Sequence, residues 1–356
     1  MRRSKGSSGE CQLKSKPQIC AIGADGGQPW LEKFLVDRTS DKRHDAELWA
    51  FEYECLRYLK NVADPDLDKR FYGLCRNLAF LVCDLRDPVP LRAHFLSTWW
   101  WLKKRVQMLA EYQFRHRPPP DVSSLESLIE SPVPICKPRR PNDSNFIVRY
   151  SEERWLRDFV DNGTVRIAPA SGYKGETVDE ARKDDELNKH TYSRGDKVTI
   201  TTMDGRSMPI IGDLKRTRSL RVNYYVLCTA NEHDPRLFSS FPNQAGEPAD
   251  ACAIVWDTEE FARRLELAGR TRLPKWLFHR NPVHYFDPYN LMPGEDVSPG
   301  MSKDFSYAYQ REYRFLWLPP PGTTADQPLF LNVGPLNDIA GLIRRDGAFV
   351  AGRQSA

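Results

Sequence analysis

Five groups of polar residues sit at the ends of apolar runs and are where this sequence could do chemistry: Arg149, Asp184-Asp185-Glu186, Thr229, His233-Asp234-Pro235-Arg236 and Gln310-Arg311-Glu312. Three adjacent carboxylates repel one another unless a cation or an arginine such as Arg182 or Arg236 lies near. A metal-dependent nuclease built on Asp184, Asp185 and Glu186 is disfavoured, because carboxylates adjacent in sequence seldom converge on one ion. His233 and His284 have no partners at ligand spacing, which suits ordinary polar packing. No G-x-G-x-x-G follows a strand, and Walker lysine loops, G-x-S-x-G elbows and H-E-x-x-H pairs are absent from the sequence, which removes the familiar phosphate cradles, hydrolases and zincins. The remaining groups also have plainer uses: Arg149 as a surface ion-pair partner, and Glu312 as a cross-strand partner of Arg311 or Arg314.

Taken in order, the strand arginine Arg149, the strand segment Cys228-Thr229-Ala230 and the Gln310-Arg311-Glu312 run that opens a strand resemble the R-S-E class of ADP-ribosyltransferases. The block Lys303-Asp304-Phe305-Ser306-Tyr307-Ala308-Tyr309-Gln310-Arg311-Glu312-Tyr313-Arg314 is also similar to the terminal Lys…Tyr-x-x-Glu-x-Arg block of a widespread bacterial family of uncharacterised proteins. The resemblance spans residues 145–345, roughly. It implies a split β-sandwich that takes NAD as substrate, with Arg149, Tyr150, Thr229 and Tyr173 binding NAD, Glu312 catalytic and Gln310 orienting the acceptor. A guanidinium forks onto a pyrophosphate where a lysine is only a point charge, which suits Arg149. Cleavage of the glycosidic bond passes through an oxocarbenium-like ribose that a carboxylate stabilises, which suits Glu312. The acceptor is left open between protein, nucleic acid and a small molecule, no metal is expected, and transferase or NAD glycohydrolase activity in a toxin or anti-phage effector is the implied role. Cys228-Thr229-Ala230 keeps only the central threonine of the Ser-Thr-Ser motif, and the acidic motif, Lys183-Asp184-Asp185-Glu186, lacks the family's proline and aromatic.

The elements that must position these residues read as an α+β chain: a helical N-terminal domain followed by the ADP-ribosyltransferase-like split β-sandwich with short helices. Apolar periodicity predicts helices over 41–62, 67–85 and 90–115, the last stopped by Pro118-Pro119-Pro120 because proline lacks the amide donor. Strands are expected at 146–150, 164–167, 197–201, 224–228, 251–256, 283–286, 313–317 and 329–331, and short helices after Ser151 and at 179–188, 258–268, 302–308 and 336–343. The domain reading is a flexible tail over 1–28, a helical domain over 29–116, a Pro-rich linker over 117–145, the ADP-ribosyltransferase-like domain over 146–345 and a tail over 346–356. Trp99, Trp100 and Trp101 precede Lys103-Lys104-Arg105. Adjacent helical residues point about 100° apart, so this run is expected to be a bundle core with a basic edge more than a stacking platform.

At 356 residues the chain is long enough for two cores. The net charge of +4 divides into +6 over residues 1–140 and −2 over the rest, so a polyanion would meet the N-terminal part first. That gives the alternative to catalysis: a non-catalytic nucleic-acid-binding or interaction protein with a degenerate scaffold, contacting its partner through Lys103-Lys104-Arg105 and residues 137–140. Eight scattered cysteines with no C-x-x-C spacing argue against zinc and disulfides, and with no signal peptide or long apolar run they lead to the expectation of a cytoplasmic protein without membrane contact.

Overall fold

A computed structural model describes residues 43–81, 98–128, 146–174, 184–243, 245–291 and 295–353. The N-terminal part is helical: α1 (Arg43–Leu56), α2 (Asp64–Leu81) and α3 (Thr98–Phe114). The first helix stops short of the predicted 62 because Arg57 turns to a positive φ of 37°. Asp64 and Asp66 lie in the first turn of α2, where negative charge complements the helix dipole. The stretches of predicted helix over 82–85 and 90–97 lie outside the described residues, as do the tail over 1–28 and residues 129–145 of the predicted linker. The earlier part of that linker is packed: a 3-10 turn, Ser123–Leu128, buries Leu125 against the helices.

The C-terminal part mixes strands and short helices in chain order: β1 (Ile147–Ser151), α4 (Glu153–Asn162), β2 (Thr164–Pro169), β3 (Asn188–Arg194), β4 (Ile200–Thr201), β5 (Ser207–Met208) and β6 (Asp213–Ser219). There follow β7 (Tyr225–Ala230), α5 (Leu237–Ser240), β8 (Ala251–Val255), α6 (Thr258–Arg272), β9 (Leu277–Pro282), β10 (His284–Phe286) and β11 (Ser302–Asp304). The last four strands are β12 (Glu312–Leu318), β13 (Leu329–Asn332), β14 (Ala340–Arg344) and β15 (Phe349–Gly352). The chain is thus mixed α and β, with a helical N-terminal region and a largely antiparallel sheet.

Three helix expectations fail in this part. The predicted helix at 336–343 is strand β14, because pairing with β8 across Ala340↔Val255 to Arg344↔Ala251 overrides a local 3–4 spacing. The predicted helix at 302–308 is strand β11 followed by a 3-10 turn, Phe305–Gln310. The predicted helix at 179–188 falls partly outside the described residues, and from Asp184 the chain turns into β3. Residues 349–352 of the predicted tail form edge strand β15.

One feature of the main sheet governs the rest. Strand β7 pairs along one edge with β12, which pairs on with β9. Its other edge is shared: Tyr225 and Val226 pair with β2, while Ala230 alone pairs with β1 through Val148. Beyond β1 come β8, β14 and β15. The sheet is therefore two blocks joined by a single residue pair, and Leu227, Cys228 and Thr229 border the gap where β1 and β2 diverge.

The turn after α4 fixes the entry of β2. Gly163 takes φ 69° and donates its N–H to Phe159, and a Cβ there would lie 1.9 Å from the Gly334 carbonyl oxygen. Gly163→Ala is expected to lower stability by about 1–3 kcal/mol, since both the left-handed backbone and the contact oppose a side chain. Thermal unfolding of the purified variant checks this.

Candidate active site at the split in the sheet

Alternation along β12 puts Glu312 and Arg314 on one face, and the register adds Ala230 and Cys228 of β7 beside them. The Glu312 carboxylate lies between Lys303 Nζ (3.1 Å) and Arg314 Nε (2.6 Å), and its backbone N–H donates to the Tyr285 hydroxyl at 2.8 Å. Arg314, with no exposed surface, continues through its fork to Glu186 at 2.6 and 2.7 Å and to the Gly300 carbonyl at 2.9 Å. Lys189 closes the chain on Asp184 at 2.5 Å. Three cations and three carboxylates balance, as burial demands.

Burial opposes ionisation of Glu312, but the charges of Arg314 and Lys303 outweigh it and hold the carboxyl well below the usual carboxylate range. Burial dominates at Glu186 and pushes its carboxyl up to about 7 against the pull of Arg314. The Cys228 thiol is pushed well above its ordinary value, first by burial and then by the Glu312 charge, so it stays protonated and donates to that carboxylate. The result is an ionised carboxylate fixed in place by its neighbours.

The residues singled out in the sequence do not all meet. Gln310 is buried and tied at both ends, accepting from Lys303 at 3.0 Å and donating to the Tyr309 hydroxyl at 3.2 Å. It reaches Lys303 from the 3-10 turn, and Arg311, at φ 47°, separates it from β12, so the strand opens at Glu312 and Gln310 lies outside it. The register puts Arg149 and Thr229 on the sheet face opposite Glu312. Thr229 is buried and donates to the Tyr313 carbonyl at 3.0 Å. Tyr150, expected on the cofactor, is instead a core pin: its hydroxyl exchanges hydrogen bonds with the Asp234 backbone at 2.9 and 3.1 Å, among Phe238 and Phe241.

Tyr173, half-buried, packs against the cluster of Ala170, Tyr224, Val226 and Leu316, as does Cys228. Its hydroxyl is held above the ordinary value by burial and by the charges of Glu186 and Glu312, while Arg149 acts in the opposite sense. Tyr173, Cys228 and Glu312 thus lie on one face of the sheet, and the Arg149 guanidinium lies on the other, over the Phe159 ring at 5.7 Å.

Lys303, Arg314, Glu186 and Tyr285 were not assigned from the sequence. Lys303 and Arg314 belong to the quoted terminal block, which was the available signal, and Glu186 belongs to the acidic triple. Those carboxylates are not a bare cluster: Asp185 accepts from Lys174 and Asn188, while Asp184 and Glu186 join the network above. Among the described residues no group of His, Cys, Asp and Glu could hold a metal ion. His284 meets Glu295 at 2.7 Å, and burial lowers the pKa of His233, near Tyr150.

The helices reach into this region. Phe305 belongs to their core and packs on Trp100 and Trp101. Asn77 donates to the carbonyls of Phe305 (3.2 Å) and Ser306 (3.0 Å), Arg76 lies over the Tyr309 ring at 4.2 Å, and Phe80 packs on Tyr309. Buried Asp287 sits between Arg70 at 2.6 Å and Lys104 at 2.7 Å. The bundle core expected of the tryptophan run is present at Trp100 and Trp101, whereas the basic edge expected beside it is corrected: Lys104 and Arg105 are buried and Lys103 pairs with Glu52. Residues 137–140 lie outside the described residues. Among those described, no helix is long and apolar enough to cross a membrane. No family model, curated protein or solved structure matches this chain.

Proposed function

We propose that this chain cleaves the nicotinamide–ribose bond of NAD and passes ADP-ribose to an acceptor or to water. The observation that supports the reading is the split between β1 and β7, held by one residue pair, with Tyr173, Cys228 and Glu312 on one face of the sheet there and Arg149 on the other. An arginine on β1, a threonine on β7 and a glutamate at the head of β12 stand in the chain order that the resemblance implies, which supports the reading. In this reading the C1′–N bond breaks, nicotinamide leaves with the electron pair, and the acceptor's lone pair forms the new bond to C1′. Glu312, ionised and held by Lys303 and Arg314, opposes the positive charge that develops on the ribose. Arg149, half-buried on β1 with its guanidinium over the Phe159 ring, takes the pyrophosphate.

One observation favours the contrary, purely structural role: both Glu312 oxygens already have cationic partners. Nicotinamide release from NAD by the full chain decides between them. Glu312→Gln is expected to lower the rate at least about 100-fold, the scale of a lost electrostatic contact in a transition state, and Arg149→Lys to raise KM with a smaller change in kcat. Unaltered release by Glu312→Gln, or no release by the parent chain, overturns the proposal.

A further inference from the structure

Between β2 and β7 the chain forms a ribbon-shaped arm whose β3 strand is docked on the rest of the molecule. The Tyr192 N–H donates to the Pro288 carbonyl at 2.7 Å, its ring stacks on Tyr289 at 4.6 Å, and Arg194 and Asp213 bond Leu56 and Asn61 of the helical part. Strands β3 and β6 pair along their whole length, Asn188↔Ser219 to Arg194↔Asp213, with the small β4–β5 pair beyond them. Residues 188–221 hold eight Lys and Arg against three Asp, a net of +5. The rest of 141–356 holds 20 Lys and Arg against 27 Asp and Glu, a net of −7. The positive charge of the C-terminal part is thus concentrated in one ribbon.

Within it Lys197, Lys215, Arg216, Arg218 and Arg221 are exposed. Arg218 meets Asp296 at the surface; among the described residues no carboxylate pairs with the other four. At a rise of roughly 3.3 Å per residue, Lys215 to Arg221 covers about 20 Å. Like charges one and two residues apart repel, and an edge strand can be blunted with charges of either sign, so a same-sign run calls for an anion. At the far end Met203 and Ile211 are fully exposed and Met208 half so.

We infer that the arm is a surface for duplex DNA. With β3 docked, the free side of the arm is β6, and its exposed cations Lys215, Arg216 and Arg218 run in the manner of side chains that meet successive backbone phosphates. The exposed methionines and isoleucine at the tip are side chains of the kind that wedge against bases. An anionic membrane is the other partner of a basic arm with an apolar tip. The headgroup boundary, however, takes a layer only about 5–10 Å deep, whereas these cations run down the shaft, and Asp204 sits at the tip among the apolar residues.

The test uses the full chain, a fluorescent 20-base-pair duplex and no NAD, so its outcome is independent of the reading of Glu312. With about four phosphate contacts, affinity should fall roughly 100-fold between 50 and 200 mM salt. Alanine at Lys215, Arg216, Arg218 and Arg221 together should weaken binding at least 10-fold and flatten that salt dependence. Lysine at the three arginines should retain binding, because the phosphates are met as charge, and Glu312→Gln should leave it unaltered. Equal binding by the four-alanine variant overturns the inference, as does absence of binding at 50 mM salt. Preference for anionic phosphatidylserine vesicles over the duplex also overturns it and assigns the arm to a membrane.

Discussion

Replacing Arg314 with methionine is expected to cost about 3–5 kcal/mol, the range for removing one member of a buried ion network. Arg314 bonds Glu312, both oxygens of Glu186 and the Gly300 carbonyl, all away from water. Methionine fills much of the volume but leaves two carboxylates to ionise in a poor dielectric or to take up protons. At about 2–4 °C per kcal/mol for a domain of this size, the midpoint of thermal unfolding should fall by roughly 10 °C. The matched triple variant, Arg314→Met with Glu186→Gln and Glu312→Gln, removes the orphaned charges and should regain much of the loss. If the single variant melts within 2 °C or so of the parent chain, the network is not a determinant of the fold.

Asp287→Ala should have an effect of similar size in a different place. Its carboxylate is the shared partner of Arg70 from α2 and Lys104 from α3, and both cations are nearly without solvent. Deleting it strands two buried charges, again about 3–5 kcal/mol, and loosens the helices from the segment that follows β10. Trp100 and Trp101 report the event, so their fluorescence should shift at lower denaturant than in the parent chain. Burial works against Asp287 ionisation, but Arg70 and Lys104 more than offset it and depress the carboxyl below its ordinary 3.8. A depressed carboxyl contributes stability that is present above the unfolded value and lost as pH falls. The parent chain should therefore lose stability below about pH 4, and Asp287→Ala should show a shallower acid dependence over the same interval. An unchanged acid limb in the variant would assign that dependence to other carboxyls.

The helical part and the buried strands were legible because their apolar residues are periodic: Leu67, Phe71, Leu74 and Leu78 in α2, and the unbroken apolar run of β8, are the core they were read to be. The ribbon of β3 and β6 was not, since a strand wet on much of its surface has no alternation to read. Its polar run, Lys215-Arg216-Thr217-Arg218, has the composition of a loop. β14 was missed for the opposite reason, because a local helical spacing was overridden by a partner distant in sequence. At the site, Glu312 and Gln310 were recognisable as a short motif, but their shared cation Lys303 lies on another strand, and the bridge from Arg314 to Glu186 spans much of the chain. Face assignments were beyond reach as well. Thr229 and Cys228, adjacent on one strand, look in opposite directions by alternation, but only the register with β12 reveals that Cys228 is the one on the face of Glu312.

The seating of Phe305 among the N-terminal helices bears on how this chain can be taken apart. A fragment beginning at β1 would carry every residue named at the split, yet it would bare an aromatic ring that now belongs to the core of the helices. It would also leave Asp287 without the two cations that neutralise it. Composition and the proline-rich stretch suggest a convenient place to cut, but the packing makes the two sides of that cut joint owners of the turn that delivers Glu312. Modularity in this protein is a property of the sequence text and not of the folded object.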